Sequence, residues 1–194
     1  MPNKLPSSFY QRDDVVLISR ELLGKVLCTE FGGMLTKVVI TETEAYAGVT
    51  DRASHAFGGR RTNRTEPMYG QGGTAYVYLC YGIHHLFNVV TGEPGVPCAV
   101  LVRAGSVLVG EDIMLLRRGK KKADRSLLAG PGSLARALGI TTDSTGGSLF
   151  DGNIWIEDHG LRVHSRDVSS GPRVGVDYAA EDAARPYRFI WKNQ

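Results

Sequence analysis

Two runs rich in β-branched residues, Lys25 to Phe31 and Met34 to Tyr46, are separated only by Gly32-Gly33. Two glycines between strand-like runs signal a two-residue hairpin, because both central positions of the tight turn need positive φ. The first pairing is therefore expected to be antiparallel, and it commits the chain to a sheet. Further strand-like runs follow at Thr74 to Cys80, Leu86 to Val90 and Cys98 to Arg103, separated by Gly82 and by a TGEPGVP turn. Asn153 to Glu157, Arg173 to Val176 and Arg188 to Trp191 are expected to close the sheet. Helices are expected over 14 to 23, capped by Asp13 or Asp14 and stopped by Gly24, and over Ser133 to Leu138 behind Gly130-Pro131-Gly132. The expected fold class is mixed α/β (α+β), a single domain over residues 1-194 built on a mainly antiparallel curved sheet with peripheral helices.

From Ala47 to Gly73 the chain turns to Gly, Arg, Thr and Asn without periodicity, and loops of that length are functional or disordered. Composition argues for a folded chain, with 42% hydrophobic and 22% charged residues. No apolar run approaches the ~20 residues that cross a bilayer, and the opening MPNKLPSSF lacks the apolar centre of a signal peptide; the expected compartment is the cytoplasm, with no membrane partner. Cys28, Cys80 and Cys98 each lie in an apolar run and are expected to be buried, reduced thiols. No CxxC, HxxxH or HExxH spacing occurs, and the adjacent His84 and His85 would point to opposite faces of a strand, so no metal and no cofactor are expected. Net charge is only +3, but Arg117, Arg118, Lys120, Lys121, Lys122 and Arg125 crowd together, either as a solvated loop or as a phosphate contact.

The chemistry-bearing residues concentrate around the long loop. Strand parity places Ile40, Glu42, Glu44 and Tyr46 on one face and Thr41, Thr43 and Ala45 on the other. Two carboxylates sharing a face fit either a solvated sheet surface or a site. His55 follows on the loop, and Tyr76, Tyr78 and Tyr81 stand close together. Aromatic rings near a carboxylate suit a pocket for a flat ring, and equally a core aromatic layer. Tyr81 breaks the parity of the other two, so it faces the opposite side or stands on the turn that Gly82 begins.

Seven segments together resemble one known family. They are ETEAY at Glu42 to Tyr46, DRASHAFGGRRTNR at Asp51 to Arg64, YVYLCYG at Tyr76 to Gly82, Asn88, VLVRA at Val100 to Ala104, GPGSL at Gly130 to Leu134 and PRVGV at Pro172 to Val176. In this order, spanning nearly the whole chain, they resemble the 3-methyladenine DNA glycosylases of the alkyladenine type. The resemblance implies a monofunctional enzyme, acting as a monomer on double-stranded DNA, that everts a damaged purine and hydrolyses its N-glycosidic bond. The lesions implied are 3-methyladenine, 7-methylguanine, hypoxanthine and ethenoadenine. By the same resemblance Glu44 activates the attacking water, and Arg103 helps hold carboxylate and water. Tyr46 and His55 sandwich the base with Tyr78, Tyr81 enters the minor groove beside Ile83, and Asn88 excludes guanine. Backbone groups of Ala53, His55 and Val176 read the base edge, and Arg60 with the basic segment contacts phosphates. Ile83, His84 and Ser133 depart from the animal enzymes. Two other classes compete: a nucleic-acid binding module without chemistry, and a metal-dependent hydrolase built on Glu42, Glu44 and His55.

Overall fold

The computed structural model describes residues 3–192. Its nine strands are β1 (Asn3–Lys4), β2 (Val26–Phe31), β3 (Met34–Tyr46), β4 (Ala75–Cys80), β5 (His84–Thr91), β6 (Cys98–Val109), β7 (Ile154–Asp158), β8 (Val168–Gly171) and β9 (Arg188–Trp191). The helices are α1 (Ser7–Tyr10), α2 (Val15–Glu21), α3 (Glu111–Arg118) and α4 (Pro131–Leu138), joined by short 3-10 turns. One sheet runs in the order β1-β7-β2-β3-β6-β5-β4, with β9 also paired to β3 and β8 to β9. Every pairing is antiparallel. The mixed α/β class on a mainly antiparallel curved sheet is thus what the chain adopts.

Local chemistry accounts for the first elements. The Asp14 carboxylate accepts from the Leu17 N–H at 2.9 Å and caps α2, as expected. Gly32 and Gly33 take φ of 60° and 76°, the turn that matches strand twist, and pair β2 with β3 in register. Strand β3 is long because its two edges serve three partners. Residues 34–39 pair with β2 and residues 42–44 with β9, while β6 runs along the other edge from Lys37 to Tyr46.

At the point where β9 replaces β2 the ladder slips twice. Ile40 pairs with Gly105 and Glu42 with Ala104, leaving Thr41 as an extra residue in β3; Thr43 then pairs with Val102, leaving Arg103 extra in β6. Such bulges rotate the side chains that follow them. Simple alternation fails here as a result. Ile40 lies in the main core with Ala45, whereas Glu42, Glu44 and Tyr46 face the other side, so Ile40 does not share their face as parity implied.

The main core fills the face covered by α2, α3 and α4, where Ile18, Leu22, Met114, Leu134 and Leu138 pack on Val38, Ile40, Phe87, Val100 and Val102. Other boundaries also move. Arg173 to Val176 is irregular backbone, and the strand that pairs with β9 is Val168–Gly171; the Val174 N–H goes to the Glu44 side chain instead of a ladder. Strand β6 continues to Val109, and α3 absorbs Arg117 and Arg118 into its last turn, where cations suit the helix dipole. Of the three thiols, all free, Cys28 and Cys98 are buried as expected, but Cys80 is only half-buried because it sits at the hairpin end.

Leu134 is fully buried where α4 meets the sheet. Leu134→Ala should lower the unfolding free energy by about 2–5 kcal/mol through the cavity it leaves, measured by urea titration, with an unchanged m-value.

Candidate functional site

A single row of cross-strand neighbours lays the floor of the site. Tyr76 pairs with Asn88, Asn88 with Leu101, Leu101 with Glu44 and Glu44 with Arg188, crossing β4, β5, β6, β3 and β9 on the face opposite the main core. The long loop 47–73 and the segment 172–184 cover this face and leave a cavity of about 390 Å³. That volume lies in the range of small-molecule sites, ~300–1,000 Å³. Tyr46, His55, Tyr78, Asn88 and Arg103 line it, and so do Ala53, Val176 and Tyr81.

Glu44 is 0% exposed, yet its Tyr46 and Arg103 neighbours both open onto the cavity. Its Oε1 accepts from the Val174 N–H at 2.8 Å and lies 3.3 Å from Arg103 Nη1; its Oε2 accepts from the Tyr46 hydroxyl at 2.8 Å. Burial first, and then the Glu44 charge, push the Tyr46 phenol well above its ordinary pKa, so it stays a donor. Glu42 stands behind, with Oε1 accepting from Arg103 Nε at 2.9 Å and Arg188 Nε at 2.6 Å. Arg103 therefore holds both carboxylates at once. The bulge at Arg103 is what aims it there.

The aromatic wall is locked by its own contacts. His55 Nδ1 lies 2.9 Å from the Tyr76 hydroxyl, and the Tyr78 ring meets His55 edge-on with centroids 4.6 Å apart. The Arg64 guanidinium sits 5.1 Å over Tyr78. Burial, then the charges of Arg64 and Arg60, depress His55 to about 4, so the imidazole is neutral near pH 7. Arg60 itself lies exposed on the outer loop. Both amide hydrogens of Asn88 are taken by the carbonyls of Tyr76 and Leu86, at 3.1 and 3.2 Å, which fixes the amide as a wall.

Tyr81 stands on the β4–β5 turn closed by the Ile83 N–H to the Cys80 carbonyl, with φ of 50° and 90% exposure; Ile83 beside it is 71% exposed. An apolar residue held out in left-handed backbone is strained, and such strain concentrates at functional positions. The turn is braced by α4, since a Cβ on Gly132 would come within 3.0 Å of the His84 side chain. The basic cluster is partly inward-turned. Arg117 donates to the Ala137 carbonyl, Arg118 to those of Leu127 and Ser126, and Lys120 pairs with Asp124, while Lys121, Lys122 and Arg125 are exposed.

Several contributors escaped sequence reasoning. Arg173 and Asp51, both fully buried in their side chains, form a bidentate pair. Arg173 also donates to the carbonyls of Ala45 and Asp182, and its guanidinium lies 4.9 Å from the Tyr46 ring. Burial alone would raise Asp51, but the Arg173 hydrogen bonds and charge hold it below the usual carboxylate range. Tyr178, on the 3-10 segment Asp177–Ala184, lines the cavity and donates to the Ala53 carbonyl at 3.1 Å. Nothing in a single sequence separates a buried arginine from a surface one. No group of three or more His, Cys, Asp or Glu placed to hold a metal ion occurs among the described residues. No helix among them is long and apolar enough to cross a membrane.

Residues 8–194 match the family model for methylpurine-DNA glycosylase. The chain belongs to the methylpurine-DNA glycosylase family. Proteins named "Putative 3-methyladenine DNA glycosylase" are 46% identical in Chlamydia abortus, covering 96% of this chain and 97% of theirs, and 43% identical in Bacillus mycoides, covering 96% and 95%. One from Desulfitobacterium hafniense is 42% identical, covering 96% and 94%. In this methylpurine-DNA glycosylase family member, then, the family match and the cavity described above occupy the same stretch of chain.

Two outcomes follow from the electrostatics. Asp51→Asn leaves a buried guanidinium uncompensated and should destabilise the fold by about 3–5 kcal/mol in urea titration. His55 is neutral in the fold and takes a proton more readily when unfolded, so stability should fall as pH drops from about 6.5 to about 4. His55→Gln should flatten that part of the stability–pH curve.

Proposed function

We propose that this chain is a DNA glycosylase that everts alkylated or deaminated purines from duplex DNA and hydrolyses their N-glycosidic bond with water activated by Glu44. The observation that carries the reading is the buried Glu44 carboxylate, whose three partners, Arg103, the Val174 N–H and the Tyr46 hydroxyl, belong to residues that line an aromatic-walled cavity. Everting a base costs a few kcal/mol of stacking, which the rings of Tyr46, His55 and Tyr78 replace. The exposed Tyr81, with Ile83, fills the gap in the stack, and Arg60 with the exposed lysines meets phosphates.

The chemistry follows from charge. As the C1′–N bond breaks, its electron pair goes to the purine and positive charge builds on the sugar. Glu44 faces that charge and accepts the proton of the water whose oxygen bonds to C1′. A purine alkylated on N3 or N7 already carries a positive charge, so it leaves without the second carboxylate that sugar hydrolases use. The neutral His55 does not repel such a cation, as an imidazolium would. Asn88, fixed by two backbone carbonyls, crowds the position where guanine bears its amine. Of the backbone groups assigned to edge reading, Ala53 already has its N–H on Asp51 and its carbonyl on Tyr178, and the Val176 carbonyl accepts from the Ala179 N–H, which leaves the main part to the His55 backbone and the Val176 N–H. The enzyme works as one domain and a monomer in the cytoplasm.

The test is incubation with duplex oligonucleotides carrying one lesion each, scoring free base by mass spectrometry. The parent should release 3-methyladenine, and Glu44→Gln should release it at least about 100-fold more slowly while binding the duplex as tightly. Release by Glu44→Gln at the parent's rate would sink the assignment. A parent that binds duplex and frees no base would make the chain a binding module.

A further inference from the structure

The excision chemistry proposed above uses one carboxylate, yet two share this face of β3. Glu42 does not line the cavity. The groups that hold it are guanidiniums, Arg103 Nε at 2.9 Å and Arg188 Nε at 2.6 Å, and both donate to the same oxygen, Oε1. The side chains of Glu42, Arg103 and Arg188 are partly shielded from water, at 15%, 12% and 30% exposure. Their charges are therefore less screened than those of an open surface.

The strand register makes the Arg188 contact informative. Along β3 and β9, Arg188 stands directly opposite Glu44, while the residue opposite Glu42 is Ile190. Directly opposed residues share a face with Cβ atoms ~4.5–5.5 Å apart, so Glu44 is the carboxylate a cation at 188 would meet first. Its guanidinium turns diagonally to Glu42 instead. Arg103 is divided in the same sense, with Nε on Glu42 at 2.9 Å and Nη1 at 3.3 Å from Glu44 Oε1, longer than a charge-assisted hydrogen bond. A carboxylate has two oxygens and about four lone-pair sites. On Glu44 the Val174 N–H and Arg103 meet Oε1, and the Tyr46 hydroxyl takes one site on Oε2. A general base needs one more for the proton it accepts, and a second guanidinium would fill it.

We infer that Glu42 is a positioning residue that holds Arg188 and the Nε edge of Arg103 away from Glu44, leaving that carboxylate a free lone pair for the proton of the attacking water. Without the charge at 42, two guanidiniums would have only Glu44 to turn to. The base would then be capped and made weaker by the surplus positive charge. The inference rests on the base-excision reading above and gives the second carboxylate a task other than acid catalysis.

The experiment measures single-turnover release of 3-methyladenine from duplex DNA, and duplex affinity, for the parent, Glu42→Gln, Glu42→Asp and the double variant Glu42→Gln/Arg188→Gln. None of these removes a fully buried side chain, so all should fold, which thermal melts check. Glutamine keeps the size and an acceptor without the charge, whereas aspartate keeps the charge at shorter reach. Glu42→Gln should slow release about 10- to 100-fold, the worth of one hydrogen bond to a charged group, with duplex affinity within about twofold of the parent. Glu42→Asp should release base faster than Glu42→Gln, and removing the surplus cation in the double variant should restore most of the loss. A purely structural role predicts the reverse order, with the isosteric glutamine mildest and the double variant worst. Release by Glu42→Gln at the parent's rate, glutamine outrunning aspartate, or a double variant no faster than Glu42→Gln overturns the inference and leaves the excision reading standing. A parent that frees no base overturns the excision reading, and the inference with it.

Discussion

The buried pair of Arg173 and Asp51 is the interaction on which the site depends. Asp51 also accepts from the N–H groups of Ala47 and Ala53, and Arg173 also donates to the carbonyls of Ala45 and Asp182. One ion pair thus joins the end of β3, the start of the long loop and the segment after β8. The loop and the segment after β8 have no ladder of their own to hold them there. Two charges out of water are costly, and bidentate geometry with every oxygen occupied is the condition under which such a pair is tolerated. Its placement next to Val174 gives it a second effect, because fixing residue 173 aims the following N–H at Glu44.

The charges around Glu44 form a chain of alternating sign. Arg188, Glu42, Arg103 and Glu44 follow one another at contact distance, with the Arg173–Asp51 pair alongside. Within this chain three carboxylates and three guanidiniums balance. What differs is position. Glu44 alone among the three has Tyr46 and Val174, both on the cavity wall, as hydrogen-bonding partners, in addition to the Arg103 it shares with Glu42. A positive species entering would meet the partners of Glu44 on the wall, with the Glu44 carboxylate buried directly behind them.

Much of this was legible in the chain. The Gly32-Gly33 hairpin, the capped α2, the helix behind Gly130-Pro131-Gly132 and the elevated turn at Tyr81 follow from local chemistry and occur as expected. The seven motif segments placed the residues that gather at the cavity. What failed did so for non-local reasons. Alternation across Ile40 to Glu42 breaks because β9 takes over an edge from β2, a fact about residues some 150 positions away. The segment after Pro172 looks strand-like by its β-branched residues but spends its polar groups on Asp51 and Glu44. Helix α3 went unread because its charges dominate its composition, and Tyr178 because a phenol's meaning lies in the carbonyl it meets.

The sharing of β3 among three partners also bears on how the molecule is made. Strands β2 to β6 can assemble from a contiguous stretch of chain, but the lower edge of β3 and the donor for Glu44 arrive only with residues 168–191. Contacts of such long sequence separation form late, since the intervening loop must be closed before they yield anything. A nascent chain on the ribosome would therefore carry a nearly complete sheet with an unfinished pocket. Competence would be conferred by the last segment to emerge, and a prematurely terminated product would be compact yet chemically inert.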